Sequence, residues 1–568
     1  LALFGQMCLL GIALALAGLV LVGLRPLWLQ SVLLALMASC GLGVLLIDTM
    51  VFDQYRFHMN AVVLGLVFSG QVVEFPLQTW LTVAASAALL LLGQYILCRW
   101  LWSRAAAGGL RGRGVGWAFS GLVVVALLGT HSVHAWAVAN GVRSITMVTQ
   151  FLPLFYPAEA SDTLRRFGLV DEAALARREA LQLAYTSTLD YPKRPLRVAP
   201  VDQPVDIVFI VLECWRTDSF SQRVSPKMWR FAQRGRVFDH HLSSGNATRT
   251  GVFGLFYGLP GTYWRAFLGN RQAPLLMDRL QQLDYQLGIF ASAHLENPEF
   301  KDTIFSKVPN LRVRSQAESS AERDIEITNE WLAWQQQRDV TRPSFSFLFY
   351  DAPHGYDFSE NYPRRFEPMI DHIDYLALDN DYDVERLRNL YYTSVHFTDN
   401  QVGRVLEALQ RSPRWERTLV VIAGDHGQEL NDNGLNYWGH NSNYTDAQIR
   451  VPFVLVGPGI APGNPWNQPR VMTSHEDLAP TVMRRYLGVT SPLADYSTGV
   501  DLLAPPVQRD WLISSNYSTY AIVEHDAITH VTGGGTYHYL DRRNHPREGA
   551  LNFEAIEQAM HSMSRFYQ

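Results

Sequence analysis

Cysteine is scarce in this chain, with four in 568 residues. Cys8, Cys40 and Cys98 fall in long apolar runs, so Cys214 stands alone in the remainder and no disulfide can form within it. That remainder, roughly four hundred residues, must be held by its own core, as domains of this size can be. A surplus of one charge sign is also missing. The formal net charge is −5, no long basic run occurs and no nucleic-acid motif is found, which argues against a nucleic-acid partner. Internal repeats and low-complexity tracts are absent too.

What is present is hydrophobicity, unevenly spread. Residues 1–24, 28–52, 79–102 and 114–139 are apolar stretches near or above the ~20 residues that a bilayer-spanning helix needs. Charge is nearly absent inside them, with Asp48 close to one end. A buried core helix can imitate one such stretch, but four in succession predict membrane spans. The segment 61–75 is shorter and runs into Glu74 and Pro76, which predicts an interfacial or re-entrant piece, with a fifth span as the alternative. Loop arginines set the orientation. Arg25 in the 24–27 link, and Arg104, Arg111 and Arg113 after Arg99 in the 103–113 link, place both connections in the cytoplasm. The loop 53–78 and the chain beyond about residue 140 then face the other side. The first residue also falls outside on this count, and with no methionine at Leu1 an upstream first span is expected.

A chain this long divides into two or more domains. The division read here is a membrane domain over 1–139, an interfacial linker over 140–205 and a soluble domain over 206–568. In the linker, Arg143, Arg165 and Arg166 lie among Phe151, Phe155 and Tyr156, a composition that suits anionic lipid headgroups and equally an ordinary solvated linker. After residue 205, strand-like runs at 206–213, 285–292, 344–351, 418–424 and 451–457 alternate with helical patterns at 226–234, 274–283, 385–410 and 475–487. Such alternation predicts an α/β domain with a mostly parallel central sheet. The tail 511–541 has strand-like runs without long helices, which predicts a small antiparallel part.

Two of these strands end in chemistry. DIVFIVLECWRTD (206–218) runs from a buried-strand pattern into Glu213, and TLVVIAGDHGQE (418–429) into Asp425 and His426. Ligands of open α/β sheets gather at the carboxyl ends of strands, so these three residues are expected at one site, where two carboxylates and an imidazole suit a divalent metal. The plainer reading is a surface acid and a turn. SSGNATRTGVFGLFYG (243–258) then puts Thr248 near the start of a helix, whose backbone donors favour anions. Beside a metal its hydroxyl becomes a nucleophile, with Thr250 as fallback; without one, either threonine is an N-cap. His354 in FLFYDAPHGYDF and His440 in NYWGHNSNY are candidates to bind a phosphoryl oxygen or protonate a leaving group. His475, Glu476 and Asp477 read as the start of a helix, and Asp399 as structural.

Taken together, these motifs resemble the alkaline phosphatase and sulfatase superfamily. Within it they are most similar to the bacterial phosphoethanolamine and glycerophosphate transferases. The resemblance implies one divalent ion, zinc or manganese with magnesium left open, on Glu213, Thr248, Asp425 and His426. The Cys-x-Pro-Ser-Arg sequence of sulfatases with a modified cysteine is absent, which argues against sulfate-ester hydrolysis by that route. Over most of its length the chain looks like the YejM/PbgA inner-membrane family of Gram-negative bacteria. The matching segments include LLIDTMVFDQYRFHMNAVVLGLV (45–67), ANGVRSITM (139–147), the 243–258 segment and YQLGIFAS (285–292).

That likeness implies a multi-pass inner-membrane protein with a periplasmic sulfatase-like domain, a role in lipopolysaccharide homeostasis or acidic-phospholipid (cardiolipin) binding, and lipid contact at Arg165 and Arg166. An inner-membrane protein partner is a further expectation. Members of such families can lack the metal ligands and act as sensors. Because this chain keeps all six positions, it reads as a metal-dependent hydrolase or transferase of lipid headgroups; the alternative is a non-catalytic lipid-sensing regulator.

Overall fold

The computed structural model describes residues 2–21, 25–55, 77–107, 113–139, 152–153, 189–532 and 537–568. The chain divides into two compact units, Leu1–Glu179 with Asp374–Asp379, and Ala180–Ile373 with Asn380–Gln568.

The first unit contains helices Ala2–Gly18, Leu27–Tyr55, Leu77–Ala106 and Arg113–Ala139. Among the described residues, four helical segments are long and apolar enough to cross a membrane: Ala2–Leu21, Leu27–Met50, Val83–Ala106 and Ser120–Ala137. Their large apolar side chains face outward, with Leu16 61% and Val125 65% exposed, as a lipid solvent requires. Small residues carry the close approaches; a side chain on Gly5 would meet the Ala126 backbone at 3.2 Å. The 61–75 segment, Arg165 and Arg166 lie outside the described residues.

The second unit is an α/β domain. Its six-stranded sheet has the order Arg236–Val237, Phe453–Val456, Thr418–Gly424, Asp206–Leu212, Ser344–Tyr350, Gln286–Ala291. The last four are mutually parallel, whereas Phe453–Val456 runs against both of its neighbours. Each parallel strand reads as a near-continuous apolar run because both of its faces are covered. Ile207, Phe209 and Val211 pack with Phe253 and Phe256 of the helix Thr248–Tyr257. Val208, Ile210 and Leu212 face the opposite way, onto Trp331 of the helix Ser320–Gln337 and Val395 and Val402 of the helix Val384–Arg411.

Strands Trp511–Ser515, Tyr520–Glu524, Ala527–Val531 and Tyr537–Asp541 form an antiparallel sheet in chain order. Ile513 and Ile522 of this sheet pack on Ile556 and Met563 of the helix Phe553–Ser564. The expected strands are all present, and the tail is antiparallel as read. The helix Ser320–Gln337 was not expected.

One boundary moves. The sequence reading began the soluble domain at 206, yet residues 189–205 are already part of the second unit. Leu189 bridges Tyr567, Val198 bridges Val489, and the Tyr191 ring meets Phe267 and Phe566 edge-on. Apolar side chains in this stretch find a core to join, which a solvated linker would not offer.

Candidate active site

The parallel strands end side by side, and three of them deliver acids. Glu213 follows Asp206–Leu212, Asp351 follows Ser344–Tyr350 and Asp425 follows Thr418–Gly424. All three are buried. Asp425 spends one oxygen on the backbone: Cys214 N–H donates to Oδ1 at 3.0 Å and His426 N–H at 2.7 Å. Its other oxygen, Oδ2, is buried, has no hydrogen-bond partner among the described residues, and lies 3.4 Å from His426 Nε2. Nδ1 of His426 stands 2.8 Å from the Gly427 carbonyl, which can only accept, so Nδ1 carries the proton and Nε2 presents a lone pair.

Thr248 completes the group. It is the first residue of its helix, where the cap is Ala247 and no side chain serves as capping acceptor. Its hydroxyl donates to Glu213 Oε1 at 3.0 Å and lies 3.4 Å from His426 Nε2. Thr250 is committed elsewhere, donating to the carbonyls of Ala247 and Ser515. Glycine makes the approach feasible, since a Cβ on Gly251 would fall 2.2 Å from the Asp425 carbonyl oxygen. The helix therefore lies directly on the strand end.

His354 and His440 join the same cluster, their rings 5.4 Å apart, with His440 4.5 Å from His426. His354 Nδ1 lies 3.4 Å from Asp351, and its Nε2 lies 4.0 Å from Glu213. Two residues not read as candidates also enter. Cys214 Sγ lies 3.6 Å from His440 Nδ1 and 3.9 Å from His426 Nδ1. Asp351 is held by Arg323 at 2.7 Å, and the loop it starts is anchored by Asp324, which accepts from the backbone N–H groups of Asp351 and Ala352. A signal existed for both, since each stands at the carboxyl end of a buried strand. His475–Asp477 form a short 3-10 turn before the helix Leu478–Tyr486, with a Ser474–Asp477 capping box. Asp399 accepts from Lys227 and Met228 at the start of the helix Pro226–Ala232, as a structural acid would.

Burial pushes the Glu213 and Asp425 carboxyls up, and for Asp425 the Glu213 charge adds to it. Burial opposes a charge on His354, yet Glu213 and Asp351 raise it to about 9. Burial lowers His426 to about 3 and His440 well below its ordinary value. Burial of the two carboxyls and the raised imidazole facing them mark acids that lack enough counter-charge. A divalent cation fits these residues: Glu213, Cys214 and His426 place ligand atoms within 4.8 Å of one another, and Asp425 Oδ2 is a buried acceptor still without a donor.

A buried acidic and imidazole cluster at the ends of parallel strands, with a hydroxyl at a helix start, makes up the candidate site of this α/β domain. The chain belongs to the sulfatase family, which it matches over residues 206–489; residues 1–198 match a domain of unknown function, DUF3413. Inner membrane protein YejM of Salmonella typhimurium is 27% identical over 515 residues, covering 90% of this chain and 81% of that protein. An uncharacterized protein of Haemophilus influenzae is 25% identical over 524 residues, 91% of this chain and 78% of that one. Among solved structures, a protein of the alkaline phosphatase superfamily from Vibrio parahaemolyticus aligns with a TM-score of 0.48 and 15% identity, over 68% of this chain and 93% of that one.

Proposed function

We propose that this chain is an inner-membrane protein whose soluble domain, on the periplasmic side, cleaves or transfers a phosphoryl-type group on envelope lipid headgroups. The observation that carries the reading is the Thr248 hydroxyl, 3.0 Å from Glu213 and 3.4 Å from His426 at the first position of a helix. Glu213, Thr248, Asp425 and His426 would hold one divalent ion, zinc or manganese in preference to magnesium, and it would supply Lewis acidity there. Thr248 Oγ1 attacks phosphorus and gives its proton to Glu213 Oε1, its hydrogen-bond acceptor. The helix start directs backbone N–H groups at the anion. His354, which faces Asp351 through Nδ1 and Glu213 through Nε2, supplies the proton that the departing alcohol needs. His440 stays neutral and holds a phosphoryl oxygen through a ring N–H. Water or a second alcohol then attacks the phosphothreonine and gives its proton to His354, the bond from phosphorus to Thr248 Oγ1 breaks, and Glu213 returns a proton to the Thr248 hydroxyl.

The helices able to cross a membrane, four among the described residues, favour a substrate held at the bilayer, and lipopolysaccharide or an acidic phospholipid is the class proposed. Arg165 and Arg166 would add lipid contact, and an inner-membrane protein partner is part of the same reading. Thr248→Ala should lower phosphoester turnover by about 10³-fold or more, whereas Thr250→Ala keeps the nucleophile and most of the activity. Full turnover by Thr248→Ala would remove the nucleophile assignment. Wild-type protein inert with zinc, manganese and magnesium would leave the lipid-sensing regulator as the better reading. For topology, a reporter active only in the periplasm should be active when fused after Gln568; a silent periplasmic reporter beside an active cytoplasmic one would overturn the assignment.

A further inference from the structure

The residue after Thr248 is also a functional candidate. Arg249 is largely buried, its side chain 15% exposed, and its guanidinium carbon lies 4.6 Å from the Tyr517 ring centre and 5.3 Å from that of Trp264. Nη2 donates to Glu299 at 2.7 Å. Nε is buried and has no acceptor among the described residues. Two aromatic faces and one carboxylate fix the guanidinium in place while a buried N–H goes unused, a costly arrangement unless something else accepts it.

Tyr517 belongs to the hairpin between Trp511–Ser515 and Tyr520–Glu524. That hairpin is pinned to the Thr248 loop, where Asn246 N–H donates to the Ser515 carbonyl, Ser515 N–H to the Ser244 carbonyl, and Thr250 to Ser515. Tyr517 in turn lies over the guanidinium of Arg249, the residue next to Thr248. The antiparallel sheet is thus held against the loop that carries Thr248 and Arg249.

We propose that Arg249 is a specificity-determining residue, binding a second anionic group on the phosphoester that Thr248 attacks. This rests on the phosphoryl reading above. Glu299 competes for the same guanidinium, so it tempers the preference.

The test is calorimetric titration of the full-length, metal-loaded protein with glycerol 3-phosphate and with 3-phosphoglycerate, which differ by a carboxylate. Wild type should bind 3-phosphoglycerate about ten-fold more tightly or better; Arg249→Gln should bring the two affinities within about two-fold, and Arg249→Lys should restore part of the gap. Glu299→Gln, which leaves Arg249 and both rings in place, should widen it. A purely structural role would move neither ratio. Arg249→Gln keeping the wild-type ratio, or Glu299→Gln leaving it unchanged should Arg249→Gln not fold, overturns the proposal. Equal wild-type affinities overturn it while sparing the phosphoryl reading; no binding of either probe removes both.

Discussion

The strand Asp206–Leu212 begins beside one buried acid and ends beside another, and the two live differently. Asp206 accepts from Arg338 at 2.5 Å, from Arg414 at 3.0 Å and from the Ser344 backbone at 3.0 Å. At the other end, no arginine is found bonded to Glu213 or Asp425 among the described residues, and Asp425 Oδ2 has no donor at all. Both ends bear the cost of burying charge, but only the amino end is satisfied from within. An acid whose oxygens are all engaged locks a fold; one with a buried oxygen left over, as at Asp425, is poised for a ligand.

The largest expected effect breaks the carboxyl end without touching the fold. Asp425→Asn keeps Oδ1 for the Cys214 and His426 amides but replaces Oδ2, so the purified protein should fall from near one equivalent of divalent ion to about a tenth or less, with thermal stability little changed. Unaltered metal content by elemental analysis would show that Asp425 is no ligand. The amino end predicts the reverse. Asp206→Ala leaves the buried Arg338 uncompensated and should cost about 3–5 kcal/mol in chemical denaturation while the surviving folded protein keeps its metal. Equal loss of metal in the two variants would erase the contrast.

A smaller effect lies behind the site. His475 is buried against the Gly251 carbonyl and Ser243, and burial lowers it to about 3 from 6.5. The unfolded chain takes up a proton below about pH 6.5 that the folded chain refuses until about pH 3, so its contribution to stability is lost as pH falls through that window. By pH 5 the loss should be about 2 kcal/mol, and His475→Gln should flatten the slope. An identical pH dependence of unfolding in the variant would discount His475.

The five main strands were legible because burial on both faces leaves an unbroken apolar run that flanking turns cannot disguise. Thr418–Gly424 is a plain case: seven residues, all buried, followed at once by Asp425 and His426. The helix Ser320–Gln337 escaped notice although its start was marked, for Ser319 accepts from the Glu322 amide three residues on. Its apolar residues are interleaved with Arg323, Glu326 and Glu330, which form ion pairs with Asp351 and Arg312 that no local pattern announces.

By itself the sequence determined the apolar helices, the strand runs and the residue types at their carboxyl ends, since burial and periodicity act along the chain. Only the tertiary structure decided that Thr248, not Thr250, faces Glu213, because a helix turns successive side chains to different sides and Gly251 sets its contact with Asp425. It also decided that Cys214 and Asp351 join the cluster and that Tyr517 closes over Arg249. Those meetings span up to hundreds of residues of chain, and pairing between strands and helices, not local preference, brings them about.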